Sequence, residues 1–303
     1  MKRLIIAGGT GFLGKTLVKH FQNKYDEIIV LSRSQKQNTK SVKYVVWDAK
    51  HEGSWKQYLE GAEAIINLCG KSVDCRYTPK NKALILSSRL EPTALLGTMI
   101  GQCKNPPRVW INAASATIYR ASEDKIMTEA DKEYGDGFSV EVCKAWEKVF
   151  NEAHTPETRK ISLRITMVMG RDGGVFPVLR KLTKRLMGGK MGNGNQLVSW
   201  IHESDFCRLA EWLIEHEHDS GPYNAAAPHP IKNKDMMALF RKIFKVPFGL
   251  PAPKWILEIG AVLIRTETEL VLKSRNVISD RAMKEGFKFE FERMEDCITD
   301  LSK

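Results

Sequence analysis

Gly8-Gly9-Thr10-Gly11-Phe12-Leu13-Gly14 follows directly on the apolar run Leu4-Ile5-Ile6-Ala7. No other feature of the chain restricts its fold as much. A short buried strand, a glycine turn and a helix opening at Gly11 must succeed one another within fourteen residues. The spacing Gly8-x-x-Gly11-x-x-Gly14 is what a dinucleotide pyrophosphate requires. Gly8 permits the tight turn, Gly11 lets bare backbone approach phosphate, and Gly14 lets the helix pack closely on the strand. The helix N-terminus adds unpaired N–H groups and the positive end of a dipole. The backbone of Gly8, Thr10, Gly11, Phe12, Leu13 and Gly14 is therefore the expected phosphate cradle.

Strand and helix then alternate. Apolar runs predict strands at Leu4–Ala7, Ile28–Leu31, Val42–Val46, Ala64–Leu68, Arg108–Ala113 and Lys160–Ile165. Helical patterns lie at Phe12–Asn23, Trp55–Leu59, Lys80–Gln102, Ser139–His154 and Val175–Met187. Near-continuous apolar strands separated by helices predict a parallel sheet covered on both faces. After Gly170 the composition changes to a glycine-rich loop, Gly188–Asn195. A helix follows over Glu203–His216, then a last strand near Tyr223, then a Met-, Leu- and Phe-rich tail interrupted by Pro247, Pro251 and Pro253. The reading is an α/β fold: a Rossmann-type doubly wound parallel sheet with a smaller, mostly helical C-terminal substrate lobe. The expected division is 1–170 plus 205–227 for the nucleotide-binding domain and 171–204 plus 228–303 for the lobe.

Composition excludes several classes. The 303 residues are 43% hydrophobic, ordinary for a globular chain with a sizeable core. No apolar run approaches a membrane span. The six cysteines are scattered with no C-x-x-C pair, which points away from a zinc site or a disulfide framework and toward a reducing cytoplasm. The net charge of +11 is dispersed. Its densest cluster, Arg180-Lys181 through Lys184-Arg185, has the spacing of one solvated helix face, so no nucleic-acid partner is expected. A small-molecule substrate and a monomer or homodimer remain.

The cofactor reading comes from the strand ends. Strand 2 closes on Ser32-Arg33, where NAD-selective folds carry an acidic residue for the ribose hydroxyls. An Arg there favours a 2′-phosphate, hence NADP(H). Asp48, after strand 3, could accept from the adenine amino group or be a solvated loop carboxylate. Leu68-Cys69-Gly70 ends strand 4, and Gly70 allows close approach at the edge where ligands sit.

Strand 5 runs into Ser115-Ala116-Thr117-Ile118-Tyr119. This Ser-x-x-x-Tyr turn resembles the extended short-chain dehydrogenase/reductase superfamily. So do Leu163–Gly170 and Gly192-x-Gly194-x-Gln196 with Trp200-Ile201-His202-x-x-Asp205. The chain is more closely similar to the NADP-binding epimerase-family branch of that superfamily, which carries a C-terminal extension. That resemblance rests on Gly8–Gly14, Asn67–Gly70, Ser88-Arg89 with Thr93, Cys143–Glu147, and the tail from Pro251 to Gly286-Phe287-Lys288-Phe289. It implies that Ser115 polarises a substrate oxygen and adds Arg89 to the cofactor-binding residues. The superfamily's Tyr-x-x-x-Lys pair is the departure. Counting back from Glu147 puts Ser139 at the Tyr position and Cys143 at the Lys position. Lys144 lies about a hundred degrees further around the helix. The candidate replacements are Tyr119 at the strand's C-terminal edge, Tyr134 in the loop before the helix, and Cys143 if a cation lies near; the alternative for Tyr119 is a packed aromatic with a hydrogen-bonded hydroxyl. Ala116 and Thr117 stand where sugar dehydratases carry Asp-Glu, which argues against that reaction. The resemblance leaves two functions: an NADP(H)-dependent oxidoreductase or epimerase acting on a small polar or nucleotide-linked substrate, and a non-catalytic NADP(H) sensor.

Overall fold

The computed structural model describes residues 1–217, 219–258 and 272–303. Seven parallel strands form its centre: β1 (Arg3–Ala7), β2 (Glu27–Ser32), β3 (Val42–Val46), β4 (Ala64–Asn67), β5 (Val109–Ser115), β6 (Arg159–Ile165) and β10 (Gly221–Ala225). Their order is β10-β6-β5-β4-β1-β2-β3. The order in which the chain adds strands reverses between β1 and β4, so the crevice at the C-terminal ends of these two strands is the topological switch point.

Period-two alternation divides the core. Leu4, Ile6, Ile28, Val30, Ile66 and Ile111 face one side, against α1 (Phe12–Phe21) and α5 (Glu203–Glu215). Ile5, Ile29, Leu31, Ile65 and Trp110 face the other, against α2 (Pro79–Gly101) and α3 (Phe138–Glu152). Burying each such side chain contributes about 1.5–3 kcal/mol, which is why both faces of every central strand must be covered.

A third cluster lies beyond the sheet. Phe176 and Leu179 of α4 (Phe176–Lys184), Trp200, Met236 and Phe240 of α6 (Asn233–Ile243) and Ile298 of α8 (Met294–Ser302) pack together. Short pairings that have no sequence periodicity support it. β7 (Met167–Met169) runs parallel to β9 (Trp200–His202), and β8 (Leu197–Val198) runs antiparallel to β11 (Ile231–Lys232). The segment from α7 (Asp280–Lys284) to Phe289 does not join this cluster. Ala282, Phe287 and Phe289 pack into the sheet core, with Phe287 edge-on to Trp212 of α5.

Candidate functional site

Gly8 has φ +75°, and a Cβ there would stand 3.0 Å from the Leu68 carbonyl carbon. Only glycine accepts both the left-handed backbone and the contact with the end of β4. Gly14 is buried, and a Cβ on it would lie 2.3 Å from the Gly9 Cα, so α1 touches the turn directly. Gly11 differs from both. A Cβ there meets nothing closer than the Gly8 oxygen at 3.9 Å. Packing does not demand glycine at that point; the open space it leaves lies at the start of α1. That helix has no side-chain cap and no acid in its first turn, so its N-terminus is available to an anion. Phe12 anchors the helix start: its ring fills the space left by Gly170, Gly173 and Gly174 in the loop after β7. Leu13 is half-buried against the sheet core and Thr10 is half-buried in the turn.

At the end of β2, Arg33 is exposed, and its charge reaches the buried Cys69 thiol. Burial still pushes that thiol up to about 12, so Cys69 is no nucleophile. The Ser32 hydroxyl is turned inward, donating to the Ser34 carbonyl. Asp48 is engaged in its own turn. It accepts the Lys50 and His51 N–H groups, both at 2.9 Å, and meets the His51 ring at 2.5 Å. Those bonds hold its carboxyl well below the usual range. Of the residues expected after strands 2 and 3, Arg33 is the one that presents an open polar group.

Under the ends of β4 and β5 lies a buried polar network. The Asn67 side-chain amide donates to Asn112 Oδ1 at 2.7 Å and to Thr93 Oγ1 at 3.1 Å. Trp146 Nε1 donates to the same Thr93 oxygen at 3.0 Å. The network ties α2 and α3 to the sheet and fixes Arg89, one turn before Thr93. The Arg89 guanidinium lies over Trp146 with its carbon 5.1 Å from the ring centroid. It donates to the carbonyls of Lys71 (3.1 Å) and Ile85 (2.9 Å). A Cβ on Gly70 would stand 3.1 Å from the guanidinium carbon. Gly70 therefore makes room for Arg89, a reason for that glycine that the strand-end argument did not contain.

Ser115 is half-buried at the end of β5, its hydroxyl accepting the Thr117 N–H at 3.2 Å. The Ser115 hydroxyl is one of the groups that act on the buried Cys143 thiol. Cys143 and Ser139 sit one turn apart on α3 and share one face of it. Burial pushes the Cys143 thiol up to about 12 against the opposing charge of Arg89. Lys144 points elsewhere, to Glu141 at 3.0 Å and the Gly135 carbonyl.

Tyr119 is a correction. It is fully buried; Arg164 donates to its hydroxyl at 2.7 Å, and the hydroxyl donates to Asn224 at 3.0 Å. Burial pushes the phenol up to about 12. A hydroxyl with no exposed surface and both polar roles filled has no route to a substrate; Tyr119 is a core residue. Asp205 is likewise structural, accepting the N–H groups of Glu290 (2.9 Å) and Phe291 (2.8 Å). His202 caps α5 and stacks on Phe291. Tyr77 was not among the expected site residues. Its hydroxyl lies 3.2 Å from Ser139 Oγ, and its ring packs edge-on to Phe138.

Among the described residues no His, Cys, Asp and Glu group could hold a metal ion, and no helix is long and apolar enough to cross a membrane. The sequence pattern of the NAD dependent epimerase/dehydratase family matches residues 4–226. The chain belongs to that family. A domain of unknown function, DUF1731, matches residues 252–301. The chain is similar to an epimerase family protein of Staphylococcus haemolyticus, 28% identical over 302 residues and covering 99% of each. Among solved structures it is similar to the human epimerase family protein SDR39U1 (isoform 2), determined with NADPH, with a TM-score of 0.88, 24% identity and 99% of each chain covered. It is also similar to a nucleoside-diphosphate sugar epimerase from Corynebacterium glutamicum, with a TM-score of 0.77 and 26% identity over 98% of this chain and 57% of that one.

Proposed function

We propose that the chain is an NADP(H)-dependent oxidoreductase or epimerase acting on a small polar or nucleotide-linked substrate. The observation that carries this reading is the open, uncapped N-terminus of α1 at Gly11, with the exposed Arg33 at the end of the neighbouring strand. The space at Gly11 and the α1 dipole fit a pyrophosphate. Arg33 fits a 2′-phosphate, which it can grip bidentately. The human relative was determined with NADPH, which supports the same choice. Residues 1–170 with 205–227 would hold the cofactor, and the packed cluster of α4, α6 and α8 would belong to the substrate lobe. When bound, the reduced nicotinamide supplies hydride. Ser115, half-exposed at the strand end, polarises the substrate oxygen by hydrogen bonding.

A sensor without turnover is the second reading. It is favoured by the sequence itself: none of the seven tyrosines is followed four residues later by lysine. NADPH oxidation against a panel of carbonyl compounds, sugar nucleotides included, separates the two. The enzyme reading expects one carbonyl class to be reduced. It also expects Ser115→Ala to slow that reduction about 10-fold or more, as for loss of a hydrogen bond made in the transition state, with NADPH affinity unchanged. NADPH binding with no turnover on any panel member would favour the sensor.

A further inference from the structure

Both helices of the outer cluster end in an unusual way. α4 closes in a Schellman turn: the Met187 N–H donates to the Leu182 carbonyl at 2.9 Å and the Leu186 N–H to the Thr183 carbonyl at 3.0 Å. α6 closes in the same turn, with Val246 donating to Arg241 and Lys245 to Lys242. The left-handed position of this turn is normally glycine. Here it holds Leu186 at φ +62° and Lys245 at φ +54°. Both side chains are exposed. A leucine held in a strained conformation and turned to water contributes little to packing in the free protein.

Leu186 does not stand alone. Seven of the twelve large apolar side chains exposed among the described residues fall within 178–187 and 248–256. Backbone bonds join the two segments. Leu250 donates to Leu186 at 2.7 Å, Gly189 to Leu250 at 3.2 Å and Ala252 to Lys190 at 2.9 Å. Gly249 lies so close that a Cβ on it would stand 2.4 Å from the Gly188 carbonyl carbon. Phe248 and Leu250, on either side of Gly249, are 53% and 59% exposed, and Trp255 just beyond is 61% exposed. Single apolar side chains on a surface are ordinary, but a cluster marks a surface that meets something. Charge identifies the chemistry of the partner. Neither 173–202 nor 236–257 contains an Asp or a Glu. Lys242 and Lys254 reach Glu295 and Glu258. Lys181, Lys184, Arg185, Lys190 and Lys245 are exposed and have no ion pair among the described residues.

We propose that this end of the molecule docks on the surface of an anionic lipid bilayer. Leu186, Phe248, Leu250 and Trp255 enter the boundary between headgroups and acyl chains, and the five unpaired cations lie on the headgroup phosphates. Exposed aromatic and aliphatic side chains accompanied by lysines, with no carboxylate in either segment, have the composition of an interfacial contact. A second copy of the chain fits less well, because an isologous contact sets the same cations against themselves. An acidic protein would match the charge, but four of the five cations are lysines, which protein interfaces disfavour relative to arginine. The proposal is independent of the cofactor reading, since the seam between 186–192 and 248–252 shares no residue with the glycine turn.

Co-sedimentation of the full chain with phosphatidylcholine vesicles containing about 30% phosphatidylserine tests this. The wild type should bind them at least about 10-fold more tightly than vesicles of phosphatidylcholine alone, and added salt should weaken the binding. Lys184→Glu with Arg185→Glu should weaken it about 10-fold or more. Lys56→Glu with Lys148→Glu, the same change of charge on the sheet domain, should stay within about twofold. That comparison separates this surface from the net charge of +11. Leu186→Gly suits the left-handed position, so its melting temperature should hold or rise while vesicle binding falls. Lipid brominated in its acyl chains should quench wild-type tryptophan fluorescence, and Trp255→Phe should lose most of that quenching. Equal binding to the two kinds of vesicle, or equal loss in the two charge-reversed variants, overturns the proposal. Binding of polyglutamate through Lys184 and Arg185 in place of vesicles would overturn it in favour of an acidic protein. A dimer broken by Leu250→Ser, in place of vesicle binding, would overturn it in favour of a second copy.

Discussion

Glu147→Ala is expected to destabilise the protein by about 3–5 kcal/mol, the cost of leaving one partner of a buried ion pair alone. Glu147 Oε1 and Oε2 receive Arg164 Nε and Nη2 at 2.7 and 2.8 Å, a bidentate pair joining α3 to β6. Arg164 is only 3% exposed, so water cannot take over the lost carboxylate. The same guanidinium holds the Tyr119 hydroxyl and lies over its ring. The loss therefore spreads to the turn that carries Ser115. Thermal melting should fall on the order of 10 °C. Glu147→Leu combined with Arg164→Met should recover much of it, because two apolar side chains leave no uncompensated charge. A single variant that melts with the wild type would show that the pair does not hold α3 in place.

Gly11 and Gly14 are three residues apart, and their substitutions are expected to fail in opposite ways. A Cβ at Gly14 would stand 2.3 Å from the Gly9 Cα. Both partners are backbone, so Gly14→Ala must push α1 off its turn. Overpacking of this kind costs about 1–3 kcal/mol, and stability drops whether or not a ligand is present. Gly11→Glu enters open space. The fold should be retained and the melting temperature close to wild type. The added carboxylate would instead occupy the phosphate position at the helix N-terminus with like charge. NADPH affinity should fall by more than about 100-fold, roughly 2.7 kcal/mol or more. Retained affinity in Gly11→Glu would mean the cofactor does not lie at this turn.

The sheet was legible in the sequence because its strands are nearly uninterrupted apolar runs. Leu4–Ala7, Ile28–Leu31 and Ala64–Leu68 each differ from the observed strands by a residue at one or both ends. β7, β8, β9 and β11 were not legible as pairings. Strands of two or three residues carry no periodicity, and β9 finds its partner only after a separation of some thirty residues. The site divides in the same way. The glycine turn is local, and the tight turn at Gly8 and the close packing at Gly14 follow from spacing alone. Gly70 and Arg89 meet by packing across the β4–α2 segment, which no local pattern encodes. Tyr119 misleads for a related reason. A tyrosine four residues after a strand-end serine has the spacing of an active-site residue. The Arg164 and Asn224 that claim its hydroxyl come from β6 and β10, and their approach is a tertiary fact. Asp48 likewise closes its own turn with Lys50 and His51, a local alternative that side-chain-to-backbone bonding always offers Asp.

Calorimetric titration of the wild-type protein and Arg33→Ala with NADPH and with NADH tests the central claim most directly. The exposed Arg33 at the end of β2 should make the wild type bind NADPH at least about 10-fold more tightly than NADH. Removing a charge-assisted phosphate contact of about 1.5–3 kcal/mol should bring the two affinities together in Arg33→Ala. Equal or tighter binding of NADH by the wild type, or a preference unchanged in Arg33→Ala, would contradict the account.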